Sequence, residues 1–61
     1  MRFQDAKKLH NGDEVIDKKT DESINVLEIE VHPNPKGWAY VEIRGVGSCQ
    51  GYKTWYHDEV K

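Results

Sequence analysis

Few residues in this chain have side chains able to do metal or nucleophilic chemistry: His10, His32, His57 and the single cysteine, Cys49. No two of them stand at a CxxC or HxxxH spacing. Structural zinc takes about four nitrogen or sulfur ligands. Using all four here requires distant loops to converge, so the sequence predicts no metal site and no cofactor. Cys49 and His57 lie eight apart across a turn. No orienting partner or oxyanion arrangement is legible beside them. Cys49, inside Gly-Ser-Cys-Gln-Gly, reads as an incidental thiol. The acidic neighbours Asp13-Glu14, Asp21-Glu22 and Asp58-Glu59 point to opposite faces where the chain is extended, so none forms a carboxylate dyad. They read as solubilising charge. No catalytic residue is predicted, and the chain is expected not to be an enzyme.

The aromatic set carries more interest. Trp38, Tyr40, Tyr52, Trp55 and Tyr56 fall on two neighbouring extended segments. If those segments pair, Trp38 and Tyr40 share a face with Tyr52 and Tyr56, while alternation turns Trp55 to the other face. An exposed aromatic face suits peptide docking, base stacking or a cation cage. The competing use is structural, because aromatic side chains on strands stabilise cross-strand pairs and a small core needs their area. Lys18, Lys19 and Lys53 complete the candidate binding set as positive groups for phosphate. Lys18 and Lys19 are read as neighbours of Lys36 at one end of the fold. Acidic residues interleave with all of these, so a solvated surface is the default.

Length and charge restrict what these residues can build. A chain of 61 residues is one domain, 1–61. It buries roughly 60% of the surface its unfolded form exposes, which leaves little room for a deep cavity. Nine basic against eleven acidic residues give a net charge of −2, spread without blocks. That balance does not favour nucleic acid, where affinity comes from neutralising phosphates. One cysteine allows no intrachain disulfide, and a small secreted domain normally carries several. No apolar run follows Met1. The expectation is a cytoplasmic domain with no signal peptide and no membrane span.

The elements that position the aromatics follow from periodicity. Residues 3–9 read as one to two helical turns or as an extended lead-in, ending at the stop signal Asn11-Gly12. Residues 13–17 read as a short strand and 18–22 as a charged loop. Residues 23–31 form the strongest strand. Its apolar positions run Ile24, Val26, then change phase to Leu27, Ile29 and Val31, with Glu28 and Glu30 outside. Such a phase change predicts a β-bulge or bend, because the side-chain period is two. Residues 32–37, with both prolines, read as a loop. Residues 38–44 alternate cleanly as a strand, 45–51 read as a flexible turn, and 52–56 as a last strand. Residues 57–60 read as a closing turn whose Val60 plugs the core.

The pattern Leu9-x-x-Gly12-Asp13-x-Val15, then Val26-Leu27-x-Ile29, Val41-x-Ile43-x-Gly45 and a closing Tyr56-His57 through Val60, resembles small SH3-like barrels, including the KOW and Tudor-like groups. The resemblance spans Leu9 to Val60. It implies an all-β fold: an SH3-like antiparallel barrel of about five strands with a short N-terminal helical or extended lead-in. It transfers no binding residue, since such barrels serve nucleic-acid, peptide and structural roles alike.

The function expected is a non-enzymatic binding or adaptor module. It meets a protein partner, or a second copy of itself, through the Trp38/Tyr40/Tyr52 face or an open strand edge. The alternative is a nucleic-acid-binding barrel that stacks bases on aromatics and holds phosphates with the loop lysines.

Overall fold

The helical part of the lead-in ends early, with Lys7 as its C-cap, and the chain turns later, at Asn11-Gly12. Gly12 takes a φ of +96°, which an L side chain rarely adopts, and the chain reverses there. Before that turn, Phe3–Ala6 form one helical turn, α1, so the lead-in is helical rather than extended. The computed structural model describes residues 1–34 and 36–61.

After the turn come strands β1 (Glu14–Ile16), β2 (Ser23–His32), β3 (Tyr40–Gly47) and β4 (Gly51–Tyr56), then a single 3-10 turn at His57–Glu59. The strands pair antiparallel in chain order, β1-β2-β3-β4, in one sheet. The expectation of about five strands is corrected to four. The closing segment adds one isolated antiparallel bridge, Asp17 with Val60. It is flanked by Lys18 N–H to the Glu59 carbonyl at 3.0 Å and Lys61 N–H to the Ile16 carbonyl at 2.7 Å. The chain end therefore docks on β1 over too few residues to count as a strand.

The bulge falls where the hydrophobic phase changed. Val26 opposes Gly45, and Glu28 opposes Arg44, so Leu27 is the extra residue. Its carbonyl is taken by the Asn11 side-chain amide at 2.9 Å. Beyond the bulge, Ile29 opposes Ile43 on the inner face and Glu30 opposes Glu42 on the outer one. Without the extra residue, the outer carboxylates of β2 would turn into the core.

Both ends of β3 differ from the sequence reading. Trp38 and Ala39 precede β3, which begins at Tyr40. Gly45, Val46 and Gly47, expected in a flexible turn, continue β3. Close approach explains both glycines. A Cβ on Gly45 would lie 2.5 Å from the Asn25 carbonyl oxygen, and one on Gly47 would lie 2.6 Å from Glu22 Oε2. These positions need the absence of a side chain rather than chain flexibility. The turn proper is Ser48-Cys49-Gln50, closed by Gly51 at φ +71°.

The core is Ala6, Val15, Ile24, Val26, Val41, Ile43, Trp55 and Val60, with Met1, Phe3, Leu9 and Ile29 packed at its margin. Trp55 is its largest member and is only 1% exposed. Trp55 thus leaves the set of surface candidates. Among the described residues, no helix is long and apolar enough to cross a membrane.

Candidate functional site

The register of β2, β3 and β4 arranges the outer face in rows. His32 opposes Tyr40; Glu30 opposes Glu42, which opposes Tyr56; Glu28 opposes Arg44, which opposes Thr54; Asn25 opposes Val46, which opposes Tyr52. Two clusters result from the first three rows.

The first is aromatic. The Tyr40 and Tyr56 rings meet edge to face at 5.7 Å, and His32 stacks on Tyr40 at 4.4 Å and 13°. Trp38 stands just before β3, 88% exposed. Trp38, Ala39, Tyr40, Tyr56, His57 and Asp58 line an open hollow of about 550 Å³. The His57 ring is fixed from behind. Its Nδ1 accepts the Val41 N–H at 3.2 Å, and Phe3 packs edge-on against it at 5.9 Å. Tyr52 is 65% exposed on the same face, but two rows away beside Val46, outside the hollow.

The second cluster is acidic. Arg44 bridges Glu28 at 3.3 Å and Glu30 at 2.9 Å. The Arg44 hydrogen bond, helped by His32 nearby, holds the Glu30 carboxyl below its ordinary range. His32 Nε2 lies 2.8 Å from Glu42 Oε1 and 3.5 Å from Glu30 Oε1. The distance to Glu42 suits a hydrogen bond, yet this buried nitrogen makes none of acceptable direction. Nothing in the sequence marked these residues as a group. Glu30 and His32 come from β2 and Glu42 from β3, and only the cross-strand register joins them.

The lysines gather elsewhere. Lys18, Lys19 and Lys53 line a hollow of about 410 Å³ with Asp17, Thr20, Gln50 and Glu59. Lys36 is not among them. It follows the end of β2, whereas Lys18 and Lys19 precede its start, so the expected Lys36 neighbourhood is corrected. Ten strand residues separate those two ends, about 30 Å. By alternation Lys53 lies on the Trp55 face of β4, with its ammonium 5.5 Å from that ring centre and 2.8 Å from Gln50 Oε1. The lysine hollow is separate from the aromatic one but adjoins it at the 3-10 turn, where Glu59 of the first follows Asp58 of the second and accepts the Tyr56 N–H at 2.9 Å.

Beneath the lysines sits a carboxylate network. Asp17 accepts from Trp55 Nε1 at 2.9 Å and from the Lys19 N–H at 2.7 Å. Glu22 accepts the Cys49 and Gln50 amides at 2.9 and 3.2 Å, the Thr20 hydroxyl at 3.1 Å and the Gln50 side-chain amide. Both residues are buried. The Trp55 bond above all lowers the Asp17 pKa, and the Cys49 amide above all lowers that of Glu22. A buried carboxylate met by this many donors is held ionised and is occupied with structure. Glu22 is one of the acidic residues that the sequence suggested were surface charge.

Cys49 is exposed in the β3–β4 turn, and His57 follows the far end of β4. Six strand residues separate them, about 20 Å, so they form no nucleophile–base pair. Comparison with protein-family models, curated proteins and solved structures finds no match to this chain.

Proposed function

We propose that this chain is a non-enzymatic binding module of SH3-like kind, and that its outer face takes a basic segment of a protein partner. Two features support the barrel reading: β2 bends at its bulge, and Val60 bridges back to Asp17 beside β1. The observation that carries the functional reading is Trp38, 88% exposed next to Tyr40 and Tyr56 at an open hollow. A large aromatic residue left in water beside two others offers area to a partner at small entropic cost, since its few rotatable bonds freeze cheaply.

Charge chooses the partner class. Asp58 lines the hollow, Glu42 pairs with its Tyr56, and Glu30 and Glu28 follow on β2 beside the single guanidinium of Arg44. Such a rim attracts Lys and Arg side chains and repels phosphate. The lysines that a nucleic acid would need, Lys18, Lys19 and Lys53, line a different hollow from the aromatics, with Glu59 between the two.

Amide NMR titration tests this with three probes: a Lys/Arg-rich peptide mixture, an Asp/Glu-rich one, and a mixed single-stranded oligonucleotide. Shifts at the Trp38 indole, Tyr40 and Tyr56 with the basic mixture alone are expected. Shifts at Lys18, Lys19 and Lys53 with the oligonucleotide, fading with salt, would instead make it a nucleic-acid-binding barrel. Shifts that depend on protein concentration without any probe would assign the aromatic face to self-association.

A further inference from the structure

The geometry points to a divalent metal site formed by Glu30, His32 and Glu42 on the outer face of the sheet. The ligand atoms of these three residues all lie within 4.8 Å of one another. This inference does not rest on the peptide-binding reading.

The distances are close to those of ligands around a shared ion. Zinc binds imidazole nitrogen and carboxylate oxygen at about 2.1 Å, so two of its ligand atoms stand about 3.0–3.4 Å apart in octahedral or tetrahedral arrangement. His32 Nε2 stands 2.8 Å from Glu42 Oε1 and 3.5 Å from Glu30 Oε1, on either side of that range. Nε2 is buried and lacks a hydrogen bond of acceptable direction, although two carboxylates face it. Two carboxylates converging on one imidazole nitrogen favour a positive charge there, which a bound cation supplies, and a buried polar atom without a partner calls for an explanation.

The supports of a metal site are also present. Arg44 Nη2 holds the second oxygen of Glu30 at 2.9 Å, which leaves Oε1 turned toward His32. The imidazole plane is fixed by stacking on Tyr40 at 4.4 Å. Ligands held this way from outside are the usual condition for tight metal binding. One imidazole and two carboxylates suit zinc and other divalent first-row ions. Glu28, Glu30 and Glu42 against Arg44 leave excess negative charge for the ion to balance. Three protein ligands leave a further coordination position open to solvent, on the face that carries the aromatic hollow.

The test is calorimetric titration of the untagged protein with zinc chloride, with imidazole nitrogen shifts read by NMR in parallel. Saturable one-to-one binding is expected, with the His32 Nε2 resonance moving and those of His10 and His57 fixed. Glu42→Gln and His32→Asn should each weaken binding tenfold or more, since even supporting residues of metal sites cost 10–100-fold. His10→Gln, at an exposed residue, should leave it unchanged. The wild-type shifts need no variant to fold. Absence of saturable binding would overturn the site, as would zinc-dependent shifts at His10 or His57 without one at His32. Glu42 and His32 variants that bind as the wild type does would overturn it equally.

Discussion

The indole Nε1–H of Trp55 donates to Asp17 Oδ2 at 2.9 Å, joining β4 to the end of β1 across 38 residues of sequence. This bond lets the largest core side chain be buried completely. Trp carries a polar N–H that needs a partner away from water, and Asp17 supplies it. The same carboxylate accepts the Lys19 amide and so shapes the turn into β2.

Trp55→Ala should therefore cost about 3–5 kcal/mol, from lost area and the cavity left behind. For a domain this small, that amounts to most or all of the folding free energy. Trp55→Phe keeps much of the area but leaves Asp17 short of a donor. It should lower the midpoint of thermal unfolding by less than the alanine variant does. Circular dichroism melts of the two variants check the order.

Acid should destabilise the fold through Asp17 and Glu22. Both have pKa values lowered in the native state, so the unfolded chain binds protons more readily. Their contribution is complete above the ordinary carboxylate range near about pH 4. It is lost progressively as pH falls through that range toward the depressed native values. Denaturant midpoints measured from pH 6 to pH 2 should fall with acid, and Glu22→Gln should flatten the slope. A slope unchanged by that substitution would assign the acid sensitivity to other groups.

Gly45→Ala and Gly47→Ala should both destabilise, the first more severely. At Gly45 the added Cβ meets the Asn25 backbone at 2.5 Å, and relief would require β2 and β3 to separate. At Gly47 it meets the Glu22 carboxylate at 2.6 Å, a side chain able to move at the expense of its hydrogen bonds to the turn amides. Urea midpoints give the ranking. Equal stability in both variants would show that the sheet has more slack than these approaches allow.

Trp38→Ala should change stability by no more than about 0.5 kcal/mol, because the side chain stands in water. The same substitution should abolish the response to a basic peptide. Loss of stability without loss of binding would mean that Trp38 packs in solution and that the hollow takes no partner through it.

How much was legible in the sequence depends on the range of the interaction. The strand content, the bulge near Leu27 and the turn at Gly12 are local matters. Side-chain alternation and backbone sterics act between near neighbours, so residue order alone encodes them. The same alternation separated Trp55 from Tyr52 and Tyr56. The glycines of β3 were misread because a glycine needed for flexibility and one needed for close approach look identical in sequence. Only the Asn25 carbonyl and the Glu22 carboxylate, brought close in space, distinguish the two. The acidic residues were misread for a related reason. Glu22 looked like one of several solvated charges until the β3–β4 turn folded over it with its amides. Glu30, His32 and Glu42 became one cluster only through the β2–β3 register after the bulge. The sequence by itself determined which segments are extended and which side chains alternate inward. Tertiary structure decided which polar groups meet, because a carboxylate's role depends on the donors and cations that distant segments bring to it.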